Sequence, residues 1–227
     1  MRDVYTQRAG ASIDTGIEVN KVLRNTYMLL ALTLGFSAVT AGIAMAVNLP
    51  HGAGLIMSLV ALGLIWFVLP KTADSAAGLG VVFAFTGLIG ASLGPILNHY
   101  MAMANGASIV MQALGGTAVI FLALSGYTLT SRKDFSFLRG FVMTGLIVMI
   151  LAMLVLFGAS MFGVDVSALH LAFSAGIILL MSALILYQTS AIIHGGETNY
   201  ILATTTLYLS IINLFTSLLH LLGVSND

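Results

Sequence analysis

The segment ATTTLYLSIINLFTSLLHLL, residues 203–222, decides how the chain folds. It is long enough to cross the roughly 30 Å hydrocarbon core of a bilayer as one α-helix. Five polar side chains recur along it at intervals of four, three, four and three residues, which places them on one helix face: Thr206, Ser210, Asn213, Ser217 and His220. An unpartnered polar group is costly in hydrocarbon, so this face is predicted to turn inward, towards other helices.

Six further apolar stretches precede this segment, at residues 26–47, 52–69, 76–98, 107–130, 138–162 and 168–193. Most of them reach the roughly 20 residues that a membrane-crossing helix needs. The composition agrees, since 59% of the 227 residues are hydrophobic and only 7% are charged, whereas a soluble domain is about a quarter charged. The sequence therefore predicts an all-α polytopic membrane protein, with a seven-helix transmembrane domain over residues 26–223.

The basic residues predict the orientation in the membrane. All eight lie before the first stretch or in the connections after the second and fourth stretches, with one just inside the fifth. They are Arg2, Arg8, Lys21, Arg24, Lys71, Arg132, Lys133 and Arg139. Basic residues near span ends are retained in the cytoplasm. Residues 1–25 are therefore predicted to form a flexible cytoplasmic tail, disordered or weakly helical towards its end, and residues 224–227 a short outer tail.

A candidate polar layer joins the last two helices. With a rise of about 1.5 Å per residue, Gln188 and Ser210 both lie roughly 9–11 Å inside the cytoplasmic boundary of their helices. Antiparallel neighbours would place them at one depth, with Thr206, Asn213 and Ser217 continuing the polar face. Two interpretations remain open. The layer is either an interhelical hydrogen bond or part of a pathway sensitive to a solute or proton.

Small residues mark the third stretch. Gly90 and Gly94 form a pair four residues apart, with Gly87 before them and Pro95 directly after them. Such a pair lets another helix backbone approach closely, while Pro95 is expected to bend or end the helix. Pro70 likewise suggests the end of the second helix. The small residues are interpreted as a packing seam, with a hinge in a conduction path as the alternative.

Catalytic and cofactor chemistry find no support in the sequence. The five histidines show no metal-ligand spacing, and the chain has no cysteine. No apolar stretch contains a carboxylate, which argues against a paired-carboxylate mechanism. The formal net charge of zero gives no indication of nucleic-acid binding. We therefore expect no enzyme activity, no catalytic residue, no metal site and no cofactor.

Two inner connections carry candidate interaction residues. The segment SRKDFSFLRG, residues 131–140, contains Arg132, Lys133 and Arg139. This basic cluster fits topology and contact with anionic lipid, or alternatively a docking point for a partner. In the next inner connection Glu197 follows His194 closely. Its carboxylate is expected either to cap the last helix or to pair with the basic cluster.

Several segments resemble the Bax inhibitor (TMBIM) membrane family, and in particular its bacterial YccA-like branch. They are KVLRNTYMLLALTLGFSA (21–38), FAFTGLIGASLGPILNHY (83–100), ALGGTAVIFLALSGYTLTSRKDFSFL (113–138) and ILYQTSAIIHGGETNYILATTTLYLSIINLFTSLLHLLG (185–223). The last is the most specific, through its HGGETNYI connection and its tyrosine-rich final helix. The resemblance covers nearly the whole chain after residue 20. It implies a bundle in which six helices surround the seventh, placed in the bacterial inner membrane.

The resemblance implies two alternative functions. The branch is associated with the membrane protease FtsH, which predicts a modulator that acts as a slowly processed substrate or competitor, with HflK/HflC-type proteins as further membrane partners. The polar tail, with Arg2, Asp3, Arg8 and Asp14, would be the segment that engages the protease. The alternative is a pH-sensitive leak for Ca²⁺ or protons. Leak members of the family carry two carboxylates at the positions that match Gln188 and Ser210, and neither side chain here ionises.

Overall fold

A computed structural model of the chain describes residues 2–164 and 166–224, with side chains from residue 18 onward. Over these residues it contains seven helices, each long and apolar enough to cross a membrane. They are α1 (Arg2–Ala46), α2 (His51–Thr72), α3 (Ala76–Met101), α4 (Gly106–Ser131), α5 (Leu138–Met161), α6 (Ser167–Ile193) and α7 (Tyr200–Val224). The described residues form no strand. The predicted all-α polytopic membrane protein is thereby confirmed.

Helix α1 begins earlier than the apolar stretch it contains. Its membrane-crossing part is Glu18–Ala46, but its backbone is helical from Arg2. No proline interrupts residues 2–46, so nothing in the sequence breaks the helix that leads into the span. The flexibility of residues 1–25 stays a prediction. At the other terminus α7 includes Val224, and residues 225–227 of the predicted outer tail lie outside the described residues.

Helix α7 lies at the centre of the bundle, as predicted. Half of its most apolar 18-residue window is buried, against 11–39% for the other six spans. It packs directly on α1, α3, α4 and α6. The other two helices form an outer layer, in which α2 packs on α3 and α5 packs on α6. Four helices rather than six therefore contact α7, and α5 leaves one side of α7 uncovered.

The small residues of α3 form a packing seam against α1. A methyl group added at Gly87 would lie 2.7 Å from the Phe36 ring, and one at Gly94 would lie 2.5 Å from the Ala44 side chain. At Gly90 it would run into the backbone carbonyl oxygen of Ser37. The helix is continuous through Pro95 to Met101, so of the two outcomes expected at Pro95 the end of the helix is contradicted, and a bend stays a prediction. The seam instead brings the two helix backbones into direct contact.

Helix α2 also continues past its proline. The predicted end at Pro70 lies two residues before the observed end at Thr72. A π-helical turn over Leu64–Val68 directly precedes this last segment. Proline removes one backbone donor and crowds the preceding turn, and a wider turn of this kind changes the hydrogen-bonding register locally. The helix thus passes through Pro70 and ends two residues later, at Thr72.

The seam yields a prediction about stability. We expect Gly90→Ala to destabilise the bundle by about 1–3 kcal/mol, because the new methyl group meets rigid backbone of α1. Gly80→Ala is the matched control, since Gly80 lies on the same helix and an added methyl group there meets nothing within 4 Å. Both changes raise helix propensity equally. Thermal unfolding in detergent measures the difference, and equal midpoints for the two variants would refute the seam.

Candidate functional site

Gln188 and Ser210 come together between α6 and α7, at the depth that the sequence indicated. The Ser210 hydroxyl oxygen lies 3.5 Å from the Gln188 amide oxygen, at the limit of a hydrogen bond. The same hydroxyl lies 2.9 Å from the carbonyl oxygen of Thr206. A hydroxyl has one proton to donate, so the shorter bond to Thr206 takes it. Gln188 therefore touches Ser210 without a strong bond between the two helices.

The polar face of α7 satisfies much of its hydrogen bonding within its own helix. The Thr206 hydroxyl donates to the Leu202 carbonyl at 2.9 Å, and the Asn213 amide donates to the Leu209 carbonyl at 2.9 Å. Ser217 is buried, as predicted, but Thr206 is exposed. The prediction that the whole face turns inward was thus wrong for Thr206. It lies on the side of α7 that α5 leaves uncovered, and its internal hydrogen bond lowers the cost of that exposure.

His220 completes this face at the far end of α7. Its imidazole Nδ1 lies 3.3 Å from the Tyr100 hydroxyl on α3. The ring also meets His170 of α6 edge to face, with 6.0 Å between the ring centroids. These contacts join three helices at one end of the bundle, which gives His220 a structural role there.

Sequence reasoning missed a buried polar contact at Tyr208. The Tyr208 hydroxyl lies 2.7 Å from the Ser37 hydroxyl on α1 and donates to the Thr86 carbonyl on α3 at 3.2 Å. Tyr208 is fully buried, and its ring packs edge to face on Phe85. The available signal was a tyrosine in mid-span, since a buried phenol needs a hydrogen-bond partner. Its partners on distant helices were not readable from spacing.

At the opposite end of the bundle, where the basic residues lie, the connection between α4 and α5 is tied to α6. The Ser190 hydroxyl accepts a hydrogen bond from the Phe135 backbone at 2.9 Å, and His194 Nδ1 lies 2.9 Å from the Ser190 carbonyl oxygen. The pKa of Asp134 is lowered, chiefly because the Ser136 backbone N–H donates to its carboxylate. The predicted basic cluster is therefore part of an ordered turn.

The connection between α6 and α7 is ordered by Asn199. Its side-chain oxygen accepts from the Ile201 backbone at 2.9 Å, so Asn199 caps α7. Its amide donates to the Asp74 carboxylate at 2.8 Å, which fixes the connection between α2 and α3. Glu197 accepts from the Asn199 backbone at 2.8 Å. Glu197 thus binds a backbone donor just before the helix, and the cap that we expected from it is supplied by Asn199.

Lys133 contacts an aromatic side chain and not Glu197. The Lys133 ammonium lies 5.8 Å from the centroid of the Tyr127 ring, within the range of a cation–π contact. Glu197 forms no ion pair with the basic cluster in the part of the chain that the structure describes. That second expectation for Glu197 was wrong. The Glu197 carboxylate instead accepts a hydrogen bond from the Asn199 backbone, within its own connection.

Two cavities open at the basic end of the bundle. A vestibule of about 1210 Å³ lies between the start of α1, the end of α4 and the α6–α7 connection. Its acidic, basic and histidine lining residues are Glu18, Lys21, Arg132, His194 and Glu197. A groove of about 390 Å³ lies between α5 and α7, over α6. Its polar lining residues are Arg139, Tyr187, Gln188, Glu197, Thr206, Ser210 and Asn213.

The polar layer offers groups that bind through hydrogen bonds. The polar layer itself consists of amide and hydroxyl side chains, which donate and accept hydrogen bonds but do not change charge near neutral pH. Among the described lining residues of the two cavities, the charged side chains belong to helix ends and connections. Among the described residues no three His, Asp or Glu side chains converge as metal ligands. The helical backbone of α1 includes the four tail residues that were predicted to engage the protease, Arg2, Asp3, Arg8 and Asp14. Their side chains lie outside the part of the chain with described side chains.

The fold and site define a multi-pass helical membrane protein with an uncharged polar layer beside a central last helix. Residues 19–227 match the family model for the inhibitor of apoptosis-promoting Bax1. The chain belongs to this Bax inhibitor family.

Bacterial relatives match along most of their length. A protein of Escherichia coli K12 named modulator of FtsH protease YccA is 50% identical over 92% of this chain and 93% of its own. A protein of Escherichia coli O6:H1 named inner membrane protein YccA shows the same values. An uncharacterized membrane protein of Vibrio cholerae is 49% identical over 96% of this chain and 95% of its own.

The central contact yields a prediction about charge. In the double variant Gln188→Asp, Ser210→Asp, two carboxylates would share a half-buried site and titrate as a coupled pair. We expect this variant to gain pH-dependent cation leakage in liposomes that contain a calcium-sensitive dye. Gln188→Asn, Ser210→Thr is the matched control, because it changes the same side chains without adding charge. Equal, negligible flux in both variants at every pH would show that the layer borders no pathway.

Proposed function

We propose that this chain is a multi-pass protein of the bacterial inner membrane that modulates the membrane protease FtsH and is not itself an enzyme. The observation that carries the proposal is the 50% identity, over 92% of the chain, to the E. coli modulator of FtsH protease. The site supports it, since the polar layer offers hydrogen bonds but no nucleophile paired with a base. The name inner membrane protein of the second E. coli relative supports the location.

The packing suggests how such a protein occupies a protease. A AAA protease processes a membrane substrate by pulling on it, and the α1–α3 seam and the buried Tyr208 contacts resist the separation of α1, α3 and α7. Asn199 and Ser190 additionally tie the connections at the basic end. We infer that the bundle is degraded slowly and so acts as a competitor of other substrates. HflK/HflC-type proteins are further proposed partners.

The proposed handle is the N-terminal segment of about residues 1–25. Its first 17 residues are the longest stretch outside the seven spans, and the segment carries both charge signs. With few apolar side chains it has little surface to bury on its own. Its position at the start of α1 means that a pull on it would be transmitted first to the α1–α3 seam.

The alternative of a pH-sensitive leak for Ca²⁺ or protons lacks support from the polar layer. Gln188 and Ser210 do not ionise, so the layer neither senses pH nor neutralises a hard cation. The neighbouring Asn213 and Thr206 bond mainly to their own helix. The protease modulator is therefore the function that we propose.

The modulator proposal requires the N-terminal segment to be cytoplasmic. We expect reporter fusions in the connections at 132–137 and 194–199 to report a cytoplasmic location. Arg132 and Lys133 lie in the first of these connections, and the second lies at the same end of the bundle. A fusion in the connection at 102–105 should report the periplasm, and so should one after Asp227. A cytoplasmic C-terminus would contradict the proposed orientation.

The handle is tested by deletion. Removing residues 2–15 leaves Lys21 and Arg24, and with them the orientation, in place. We expect the shortened protein to turn over more slowly in a pulse–chase, since the protease loses the end on which it pulls. The matched control replaces residues 2–15 with a Gly/Ser segment of equal length, which should restore turnover. Cells without active FtsH give the baseline.

Two results decide the handle proposal. If the shortened and full-length proteins decay at the same FtsH-dependent rate, the tail is not the handle. If the Gly/Ser control stays as stable as the deletion, the protease reads the sequence of the tail rather than its length and flexibility. The second result would keep the tail as the handle but overturn its physical explanation.

A further inference from the structure

The groove between α5 and α7 arises from the way in which α5 packs. Helix α5 contacts α6 alone, so the neighbouring side of α7 has no helix over it. Val142, Met143 and Leu146 form the α5 wall of the groove. Its volume of about 390 Å³ falls within the roughly 300–1,000 Å³ that small-molecule sites occupy. Apart from Gly196 and Glu197 its lining residues belong to membrane-crossing helices, so the groove opens to lipid.

The floor of this groove is polar, which is unfavourable opposite plain hydrocarbon. Within the described residues the Gln188 amide makes only the 3.5 Å contact with Ser210. The Asn213 amide makes one bond, from its nitrogen to the Leu209 carbonyl, which leaves its oxygen without a protein partner there. Unsatisfied amide groups cost about 1–3 kcal/mol each on burial. An acyl chain offers them nothing, whereas a glycerol ester or a headgroup offers hydrogen bonds.

The mouth of the groove carries one charge of each sign. Arg139 lies in the first turn of α5, and Glu197 lies in the connection that leads into α7. They form no ion pair with each other among the residues that the structure describes. An arginine binds phosphate through several N–H groups, and a carboxylate accepts from an ammonium group. The two charges together fit a zwitterionic headgroup with a phosphate and a primary amine.

We propose that the groove between α5 and α7 is a specific site for one phosphatidylethanolamine molecule. Arg139 binds the phosphate, Glu197 binds the ammonium group, and Gln188, the floor amide nearer to the headgroup, binds a glycerol ester. The eight residues from Thr206 to Asn213 span about 10 Å along α7, so the site continues below the headgroup into the membrane. An anionic phosphatidylglycerol would place no cation at Glu197. Phosphatidylcholine would present a quaternary nitrogen without an N–H donor.

Native mass spectrometry of the full chain tests the lipid preference. From bilayers with equal amounts of phosphatidylethanolamine and phosphatidylglycerol, we expect one phosphatidylethanolamine to be retained at a several-fold excess. Arg139→Gln should reduce retention of both lipids. Glu197→Gln should reduce the preference between them, while its amide oxygen still accepts the Asn199 backbone bond. Equal retention of both lipids by the unaltered protein would overturn the proposal.

The controls separate the site from the general charge at this end of the bundle. Lys133→Gln and Glu18→Gln remove the same charges from residues that do not line the groove. We expect both variants to retain phosphatidylethanolamine as the unaltered protein does. A loss equal to that of Arg139→Gln and Glu197→Gln would show that only bulk electrostatics attracts the lipid, which also overturns the proposal.

A second measurement identifies the occupant directly. A photoreactive amino acid in place of Met143 faces the groove. After illumination in native membranes, we expect an adduct with the mass of phosphatidylethanolamine. The same group in place of Trp66, which is 71% exposed on α2, should label lipids without preference. If the main product at position 143 is another protein or a second copy of the chain, the groove holds a helix and not a lipid.

Discussion

The bundle depends on the requirement that polar groups in hydrocarbon find partners inside the protein. Helix α7 meets it in two ways. Thr206 and Ser210 donate to carbonyl groups of their own helix, which satisfies them without holding another helix. Tyr208 instead reaches Ser37 on α1 and Thr86 on α3, and so joins three helices at one buried point. The polar face of α7 thus contributes less to holding the helices together than Tyr208 does.

The side chains that occupy the bundle interior also distinguish between the two functions that the family resemblance implies. A leak controlled by pH needs a group that changes charge inside the span, and the contact between Gln188 and Ser210 has none. A competitor of a protease needs a bundle that resists separation, which the close packing of α3 on α1 and the buried Tyr208 provide. The groove beside α5 follows from the same need for hydrogen-bond partners, since its amide groups are available to bind the proposed lipid.

Much of the fold was predictable because membrane spans are long, apolar and sharply bounded by polar connections. The contact between Gln188 and Ser210 was predictable too, because a constant rise per residue converts sequence distance into depth. The exposure of Thr206 was not, since it follows from α5 packing on α6 alone, and spacing within one helix carries no information about its neighbours. For the same reason the partners of Tyr208 and the Asn199–Asp74 bond remained hidden, as they join residues more than 100 positions apart.

The most direct measurement reconstitutes the chain with purified FtsH in one set of liposomes that contain calcium- and pH-sensitive dyes. Degradation of a membrane substrate and dye response are followed together as the amount of chain is raised. We expect substrate degradation to slow in proportion to the chain present, while the dyes report no flux at any pH, because the polar layer holds no ionisable group. Unchanged degradation together with a pH-dependent calcium signal would contradict the proposed function and assign the chain to the leak.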